Sequence, residues 1–169
     1  AIAMLLAFAV SAFYGLSRQS DALDDIVQKQ FAQYRASARI AQEIAVLHSG
    51  LYRILNWGTA QDAGKVEVDI KHETARLENA VAQFSRFAAS LDAHAEETRV
   101  AAEAQEQLAQ YTRHAATALA MAGGDEKAAM RKMQGAEEAY QRLTSRLGAL
   151  IDIQRRQAEA SFTAAREAE

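Results

Sequence analysis

The sequence predicts an all-α protein, an up-down-up-down antiparallel four-helix bundle whose first helix continues from a membrane-spanning segment. Three observations lead to this prediction. The 169-residue chain contains no proline, its apolar residues recur at helical spacing, and residues 1–16 (AIAMLLAFAVSAFYGL) carry no charged side chain. Proline-free sequence rich in alanine, glutamate, glutamine and arginine is good helix-forming material. The length suits a single bundle domain.

Residues 1–16 are expected to be the C-terminal part of a transmembrane helix. This stretch is shorter than the roughly 20 residues that cross a hydrocarbon core of about 30 Å, so residues before it would supply the missing turn. Phe13, Tyr14 and Arg18 have the composition of an interfacial exit. Two alternatives stay open, a signal peptide with the AFA sequence at residues 7–9 as its cleavage site, and a buried core helix.

Glycines divide residues 17–169, the predicted bundle domain, into helices. One break is the WGTAQDAG sequence at residues 57–64, and another is GGD at residues 123–125, in which Asp125 is a natural N-cap. The predicted helices span about residues 17–57, 64–91, 94–122 and 125–169.

Geometry places the turn between the second and third helices. A single helix over residues 65–122 would be about 90 Å long, whereas residues 17–57 give about 60 Å. A straight middle helix would therefore leave about a third of its length without partners. A turn near residues 90–96, with Asp92 as a plausible cap, lets four helices lie side by side.

Each predicted helix carries an apolar stripe that would face the bundle core. The stripes are Ile40, Ile44, Leu47, Leu51 and Ile54 in the first helix; Ile70, Leu77, Phe84 and Leu91, with Thr74, Val81 and Ala88 between them, in the second; Ala101, Ala104, Leu108, Tyr111, Ala115 and Ala118 in the third; and Met133, Ala136, Tyr140, Leu143, Leu147 and Leu150 in the fourth.

The first helix carries a second apolar line beside its main stripe. Its small residues would let another helix approach closely, which predicts a homodimer seam between two copies of this helix. The alternative is a wide core face within one chain. The line consists of Val27, Phe31, Tyr34, Ala38, Ala41, Ala45, His48, Tyr52 and Leu55.

Composition argues against several functional classes. A formal net charge of −3 gives no basic surface for nucleic acid, and the absence of cysteine excludes disulfides, thiolate metal sites and a cysteine nucleophile. The sequence has no glycine-rich phosphate loop, HExxH pattern or Glu-x-x-His motif. The pairs Glu96-Glu97 and Glu137-Glu138 are interpreted as solvated helix faces. We therefore expect no enzyme activity, no cofactor and no metal site.

Histidines provide a rival interpretation. His48, His72 and His114 come from three predicted helices, each two to three turns below the loops, and bundle cores can hold metal or haem by such convergence. His72 lies off its apolar stripe, His114 lies on the flank of its own, and neither forms an i, i+4 pair with another ligand residue. The spacing therefore indicates a metal or haem site only weakly.

Several features together carry a family resemblance. The apolar segment ends in SAFYGLSR (residues 11–18), the long first helix ends in SGLYRILNW (residues 49–57), and two shorter helices, a polar turn at DEKAAM (residues 125–130) and a long return helix follow. With these features the whole chain resembles the four-helix-bundle periplasmic ligand-binding domains of methyl-accepting chemotaxis proteins and related bacterial sensors. The resemblance implies a dimeric sensor that binds small solutes, often carboxylates or amino acids, near the distal end, and signals through a piston-like shift of the final helix.

Arginine is the residue that best binds a carboxylate, with hydroxyl or amide groups completing the site. Aligning the helices by distance from the distal loops places Tyr52 opposite residues 129–131 and His48 near Gln134. The favoured ligand-binding set, toward the distal end where the resemblance places the ligand, is His48, Tyr52, Arg53, Lys127 and Arg131. The second set is Arg35, Arg39, Tyr140 and Thr144. The alternative for each arginine is an ordinary surface ion pair.

The predicted function is the extracytoplasmic sensor domain of a bacterial transmembrane chemoreceptor, located in the periplasm and held in the inner membrane by the N-terminal segment. Its expected partners are a small-molecule ligand and a second copy of the chain, joined through the first helix. Alternatives are the input domain of a sensor histidine kinase or cyclase, and a bundle whose tip near Trp57 binds a protein partner and no small ligand.

Overall fold

Four α-helices follow one another in the computed structural model, which describes the backbone of residues 2–57, 63–91, 95–122 and 124–167. Side chains are described over residues 27–56, 64–91 and 95–166, except those of residues 123, 126 and 165. The helices are α1 (Ile2–Trp57), α2 (Ala63–Ala89), α3 (Ala95–Met121) and α4 (Glu126–Glu167). The described ranges contain no strand. The predicted all-α, four-helix architecture is confirmed.

The chain forms two compact units. One unit is Ala36–Ile151, which holds α2, α3, the second part of α1 and the first part of α4. The other unit combines the two ends of the chain, Ala1–Arg35 and Asp152–Glu169. The residues that the sequence selects as its favoured binding set all belong to the unit Ala36–Ile151.

The predicted membrane span, residues 1–16, lies at the beginning of α1. Its backbone is helical from Ile2, and its side chains lie outside the described ones. Within the part of the chain that the structure describes, no helix combines the length and the apolar character that a membrane crossing requires.

The core of the unit Ala36–Ile151 follows the predicted stripes on α1, α3 and α4. The five stripe residues of α1 are at most 6% exposed, and all six of α3 are buried. On α4 the stripe is buried except at Tyr140, which is half-buried. Apolar side chains spaced three and four residues apart lie on one face of a helix and are removed from water together, which stabilises the packed state.

The buried face of α2 differs from the predicted one. Ile70, Val81 and Leu91 are only half-buried, and the prediction that they lie in the core with Leu77 and Phe84 is wrong. The helix is rotated about its axis so that other positions face inward. The buried residues of α2 are Val66, Glu73, Leu77, Ala80, Phe84 and Phe87. Because Glu73 occupies a core position, the buried face of α2 cannot be recognised from its apolar residues alone.

Hydrogen bonds of Asp125 begin α4. The Ala128 backbone N donates to Asp125 Oδ1 at 2.9 Å, and the Ala129 N donates to the Asp125 backbone O at 2.9 Å. The Asp125 side chain thus satisfies the Ala128 amide, which has no partner within the helix, while the Asp125 backbone O accepts the first helical hydrogen bond. The predicted N-cap is confirmed. The turn predicted near residues 90–96 lies between Ala89 and Ala95, and its expected cap, Asp92, lies outside the described residues.

A close approach between α1 and α2 occurs at Gly50. A Cβ atom added to Gly50 would lie 2.7 Å from Glu73 Oε1, so the missing side chain makes room for the Glu73 carboxylate. Glu73 is 2% exposed, and Arg76 Nη1 donates to both of its carboxylate oxygens at 3.0 Å. Gly50 therefore leaves room for a buried carboxylate, paired with the half-buried Arg76, that a larger residue would displace.

Two glycine substitutions are expected to change stability in opposite directions. At Gly148, in α4, a Cβ meets nothing within 4 Å, so Gly148→Ala should stabilise the protein by about 0.5–1 kcal/mol through helix propensity. Gly50→Ala gains the same propensity, but its methyl group must push Glu73 away from Arg76, and overpacking typically costs about 1–3 kcal/mol. Urea unfolding of both variants measures the difference. A Gly50→Ala variant stabilised as much as Gly148→Ala would contradict this account of the contact.

Candidate functional site: an aromatic and carboxylate cluster beside a groove

A cluster of polar and aromatic side chains lies between α1, α3 and α4. α1 contributes His48 and Tyr52, one helical turn apart, and α4 contributes Glu137 and Tyr140, three residues apart. Side chains at these spacings lie on the same face of a helix, so each helix presents two groups to the other. α3 adds Tyr111, which is fully buried.

The Glu137 carboxylate accepts three hydrogen bonds, two from α1 and one from its own helix, α4. His48 Nε2 lies 3.0 Å from Glu137 Oε2, and the Tyr52 hydroxyl donates to the same oxygen at 2.9 Å. Gln141 Nε2 donates to Glu137 Oε1 at 2.9 Å. Two donors from α1 thus converge on one carboxylate of α4, and hydrogen bonds to a charged acceptor are stronger than those between neutral groups.

The imidazole of His48 is enclosed by three tyrosine rings. It stacks on Tyr140 with 3.8 Å between ring centroids and 4° between planes, and it meets Tyr52 edge-on at 5.1 Å and 84°. Tyr111 lies 5.7 Å away at 49°. Edge-to-face pairs such as His48–Tyr52 add about 0.5–1.5 kcal/mol beyond the burial of their surface. His48 is therefore held by contacts with three helices.

Burial and hydrogen bonding shift the pKa values of this cluster. Burial lowers the pKa of His48 from 6.5, although the hydrogen bond and the charge of Glu137 raise it in part. Hydrogen bonds, first of all from Gln141, lower the pKa of Glu137 below 4.5. Burial raises the pKa of Tyr52, Tyr111 and Tyr140. At neutral pH the site therefore holds a carboxylate, a neutral imidazole and neutral phenols.

A groove of about 360 Å³ opens beside the cluster, between α1 and α4. Arg131 is an exposed cation at this groove, and Glu137 brings the carboxylate of the cluster to the same surface. Met130 and Met133 supply apolar, adaptable surface. The residues lining the groove are Tyr52, Met130, Arg131, Met133, Gln134 and Glu137.

Comparison with known proteins identifies the kind of module that contains this site. A family model described as "Four helix bundle sensory module for signal transduction" matches residues 1–167. The chain belongs to this family. No curated protein and no solved structure matches the chain. The resemblance to the sensor modules of chemotaxis signal transducers is thus confirmed, and the groove and its cluster lie within a sensory module.

The structure of the sensory module brings together some of the predicted ligand-binding residues. Tyr52 and Arg131 line the α1–α4 groove, and His48 contacts Tyr52 behind it. Arg53 and Lys127 are exposed and are not among the lining residues of this groove. The predicted set therefore supplies two groups that line the groove and one that supports them.

The pairing of α1 with α4 differs from the predicted alignment by about one helical turn. His48 was expected near Gln134, yet it stacks on Tyr140 and bonds Glu137. The predicted alignment counts residues from the distal loops, which assumes that α1 ends and α4 begins at the same level along the bundle axis. The actual offset is set by the convergence of His48 and Tyr52 on Glu137.

The second predicted set is divided by the structure. Tyr140 belongs to the His48 cluster, and the Thr144 hydroxyl donates to the Tyr140 backbone O at 3.0 Å within its own helix. Arg39 is exposed, and Arg35 is exposed in the other compact unit. These four residues do not form one site within the unit Ala36–Ile151.

Sequence reading missed Glu137, the residue on which the cluster converges. The interpretation of Glu137-Glu138 as a solvated face is wrong for Glu137, which is partly buried and accepts three hydrogen bonds. It is likewise wrong for Glu97, which is 1% exposed. A signal was present, because Glu137 lies four residues after Met133 and three before Tyr140, both on the apolar stripe.

A second groove of about 420 Å³ lies between α3 and α4 of the sensory module. Its arginines already bind acceptors of the protein. Arg142 Nε donates to Gln107 Oε1 at 2.9 Å, and Arg146 Nε lies 3.2 Å from Glu103 Oε2. The groove is lined by Gln107, Glu138, Gln141, Arg142, Ser145 and Arg146. It is therefore a poorer candidate for binding an anion than the α1–α4 groove.

The three histidines of the rival metal interpretation lie in different surroundings. His48 is enclosed in the aromatic cluster, the side chain of His72 is 70% exposed, and His114 lies against Gly135, where a Cβ would be 2.9 Å from its Nδ1. Among the residues that the structure describes, no three histidine or acidic side chains lie where they could hold one metal ion.

Acidification is expected to destabilise the sensory module through His48. Because the pKa of His48 is lowered in the folded state, the unfolded chain binds this proton at a higher pH. The contribution of the unprotonated His48 to the free energy of unfolding is fully present above 6.5, the pKa of an ordinary histidine. It is lost as the pH falls through the lower pKa of the folded state. Urea unfolding between about pH 7.5 and pH 5 should show a falling free energy of unfolding.

The matched variants are His48→Gln and His72→Gln, one removing an enclosed imidazole and the other an exposed one. The fall in stability should be smaller in His48→Gln than in the wild type, and the fall in His72→Gln measures what a histidine outside the cluster contributes. An equal fall in all three proteins would assign the effect to other groups. Glu137 does not contribute to this fall, because its pKa is lowered. The stability that its carboxylate provides is lost only in a separate pH range, below 4.5.

Proposed function

We propose that this sensory module is the extracytoplasmic input domain of a bacterial transmembrane chemoreceptor and binds a small solute in the α1–α4 groove. The observation that carries the proposal is the composition of that groove. An exposed guanidinium from Arg131 and the carboxylate of Glu137 line it together with two methionines and Tyr52. A groove that combines both charges with apolar surface suits a small molecule with the same combination.

The chemistry of the lining favours an amino acid over a simple carboxylate. Arg131 would pair with the ligand carboxylate, since a guanidinium fork matches carboxylate geometry. Glu137 would attract the ligand ammonium group, and Met130 and Met133 would contact an apolar side chain. A dicarboxylate would place its second charge near Glu137 and be repelled. The proposed ligand class is therefore a zwitterion with a small apolar side chain.

Signal transfer would follow from the two helices that form the groove. A ligand that prefers one relative placement of α1 and α4 shifts the population toward that placement. Residues 1–16, proposed as part of a membrane span at the N-terminal end of α1, would carry the shift across the inner membrane. We further propose a periplasmic location, a homodimer formed through α1, and no catalytic activity of its own.

Thermal unfolding of the detergent-solubilised chain against organic acids, amino acids and aromatic compounds tests the proposal. A ligand that binds only the folded state stabilises it by RT ln(1 + [L]/Kd), about 2.7 kcal/mol at a hundredfold excess over Kd. We expect a selective upward shift with one or a few apolar amino acids. No shift with any compound would contradict direct sensing and favour a partner protein instead.

A second candidate function is compatible with the same sensory module. The module could equally be the input domain of a sensor histidine kinase or cyclase, because the groove and the helices that form it would work in the same way. The output domain, not the sensory module, distinguishes these receptors.

A further inference from the structure

Side chains from three helices, α1, α3 and α4, contact the His48 ring. Its own helix provides Tyr52, α3 provides Tyr111, and α4 provides Glu137 and Tyr140. The Glu73 carboxylate of α2 acts electrostatically on Tyr111. His48 is 7% exposed. A titratable ring in the middle of an interhelical contact changes that contact when its charge changes.

The hydrogen bonds determine which nitrogen can take up a proton. An ionised carboxylate only accepts hydrogen bonds, so His48 Nε2, 3.0 Å from Glu137 Oε2, carries the hydrogen. Nδ1 is then the unprotonated nitrogen. It is buried and has no hydrogen-bond partner among the described residues, and the same is true of the Tyr111 hydroxyl. A proton from solvent can be added only at Nδ1, where the enclosed ring finds no acceptor.

We propose that His48 is a proton-operated switch in the contact between α1 and α4 of this sensory module. Protonation at Nδ1 creates a second donor that requires an acceptor or water, and an unsatisfied buried donor costs free energy. The ring satisfies it by turning Nδ1 toward solvent, which breaks the stack on Tyr140 while Nε2 stays on Glu137. The lowered pKa of His48 agrees with this account, because it places the unprotonated, stacked state at neutral pH.

The switch would also regulate the proposed binding groove, and this part rests on the proposed function. Tyr52 and Glu137, which contact His48, line that groove. A proton that moves them changes ligand affinity, and by linkage a bound ligand changes proton affinity by the same factor. The module would then respond to periplasmic acidity as well as to its solute.

Histidine and tyrosine NMR titration of the chain without any ligand tests the switch. The chain contains four histidines, whose signals are followed separately. We expect His48 to titrate below its ordinary value of 6.5, and the ring signals of Tyr52 and Tyr140 to shift with the midpoint of His48. In Glu137→Gln the midpoint of His48 should fall further, since the carboxylate that favours the charged ring is gone.

The outcomes separate the switch from the proposed ligand. A His48 midpoint at or above its ordinary value of 6.5, or tyrosine signals that do not follow it, would overturn the switch and leave the groove proposal intact. A tyrosine transition that persists in His48→Gln would also overturn it. Absence of any ligand response in the thermal panel would overturn the groove proposal and leave the titration of His48 untouched. The wild-type and Glu137→Gln titrations decide the matter even where His48→Gln fails to fold.

Discussion

Replacing Arg131 with alanine is expected to abolish ligand-dependent stabilisation of the sensory module. Arg131 is an exposed cation that lines the groove, and a bidentate guanidinium–carboxylate pair is a strong, directional interaction. A hundredfold loss of affinity would reduce a stabilisation of about 2.7 kcal/mol to about 0.4 kcal/mol at the same ligand concentration. The measurement is the shift in unfolding temperature with the amino acid that gives the largest response in the panel.

Lys132→Ala provides the matched control for this prediction. Lys132 is the next residue on α4, is also exposed and cationic, and does not line the groove. Lys132→Ala removes the same formal charge from the same helix as Arg131→Ala. A loss of ligand-dependent stabilisation caused by the change in net charge alone would therefore appear in both variants. An undiminished shift in Arg131→Ala would place the ligand elsewhere. The second groove, beside Arg142, would then be the next site to test.

Replacing Phe84 with alanine is expected to cost about 3–5 kcal/mol of unfolding free energy, the typical range for Phe→Ala in a close-packed core. Phe84 is fully buried in α2 and lies 6.0 Å from Phe87 between ring centroids. Removing the ring leaves a cavity that neighbouring helices can close only in part. Urea unfolding monitored by circular dichroism gives the value directly.

Phe162→Ala makes the same chemical change at a side chain that is 49% exposed. Its effect should lie within about 0.5 kcal/mol, as for most surface substitutions. A loss at Phe162 comparable to that at Phe84 would show that this part of α4 is covered in solution, for example by a second copy of the chain. A loss at Phe84 below about 1 kcal/mol would contradict the assignment of α2's buried face.

Much of the fold could be predicted because helix formation and apolar periodicity are local properties. The spacing of Ile40, Ile44, Leu47, Leu51 and Ile54 defines one face of α1 without reference to any other helix. The capping aspartate of α4, Asp125, is likewise read from residues adjacent in the chain. Local signals failed on α2, where Glu73 occupies a core position because Gly50 on another helix leaves space for it.

The candidate site could be predicted only in part. His48 and Tyr52 stand out as polar groups on an apolar line, and Arg131 as a cation near the same end. Glu137 does not stand out in this way, because a glutamate beside another glutamate on a helix is usually solvated. Its partners, Tyr52 and His48, lie 85 and 89 positions away in the chain. Tyr140 is placed in the core stripe and in the second candidate set, because nothing near it in the chain indicates its contact with His48.

The sequence by itself determined the helical class, the four elements, their inward faces on three helices and the type of module, since these depend on residues close together in the chain. Only the tertiary structure decided the offset between α1 and α4, the rotation of α2 and the convergence of four helix-borne side chains on His48. The physical reason is that a helix specifies which residues share a face, but not where along a neighbour that face will dock. Docking is decided by the sum of contacts across the interface, here a carboxylate that satisfies two donors and a ring that stacks on another.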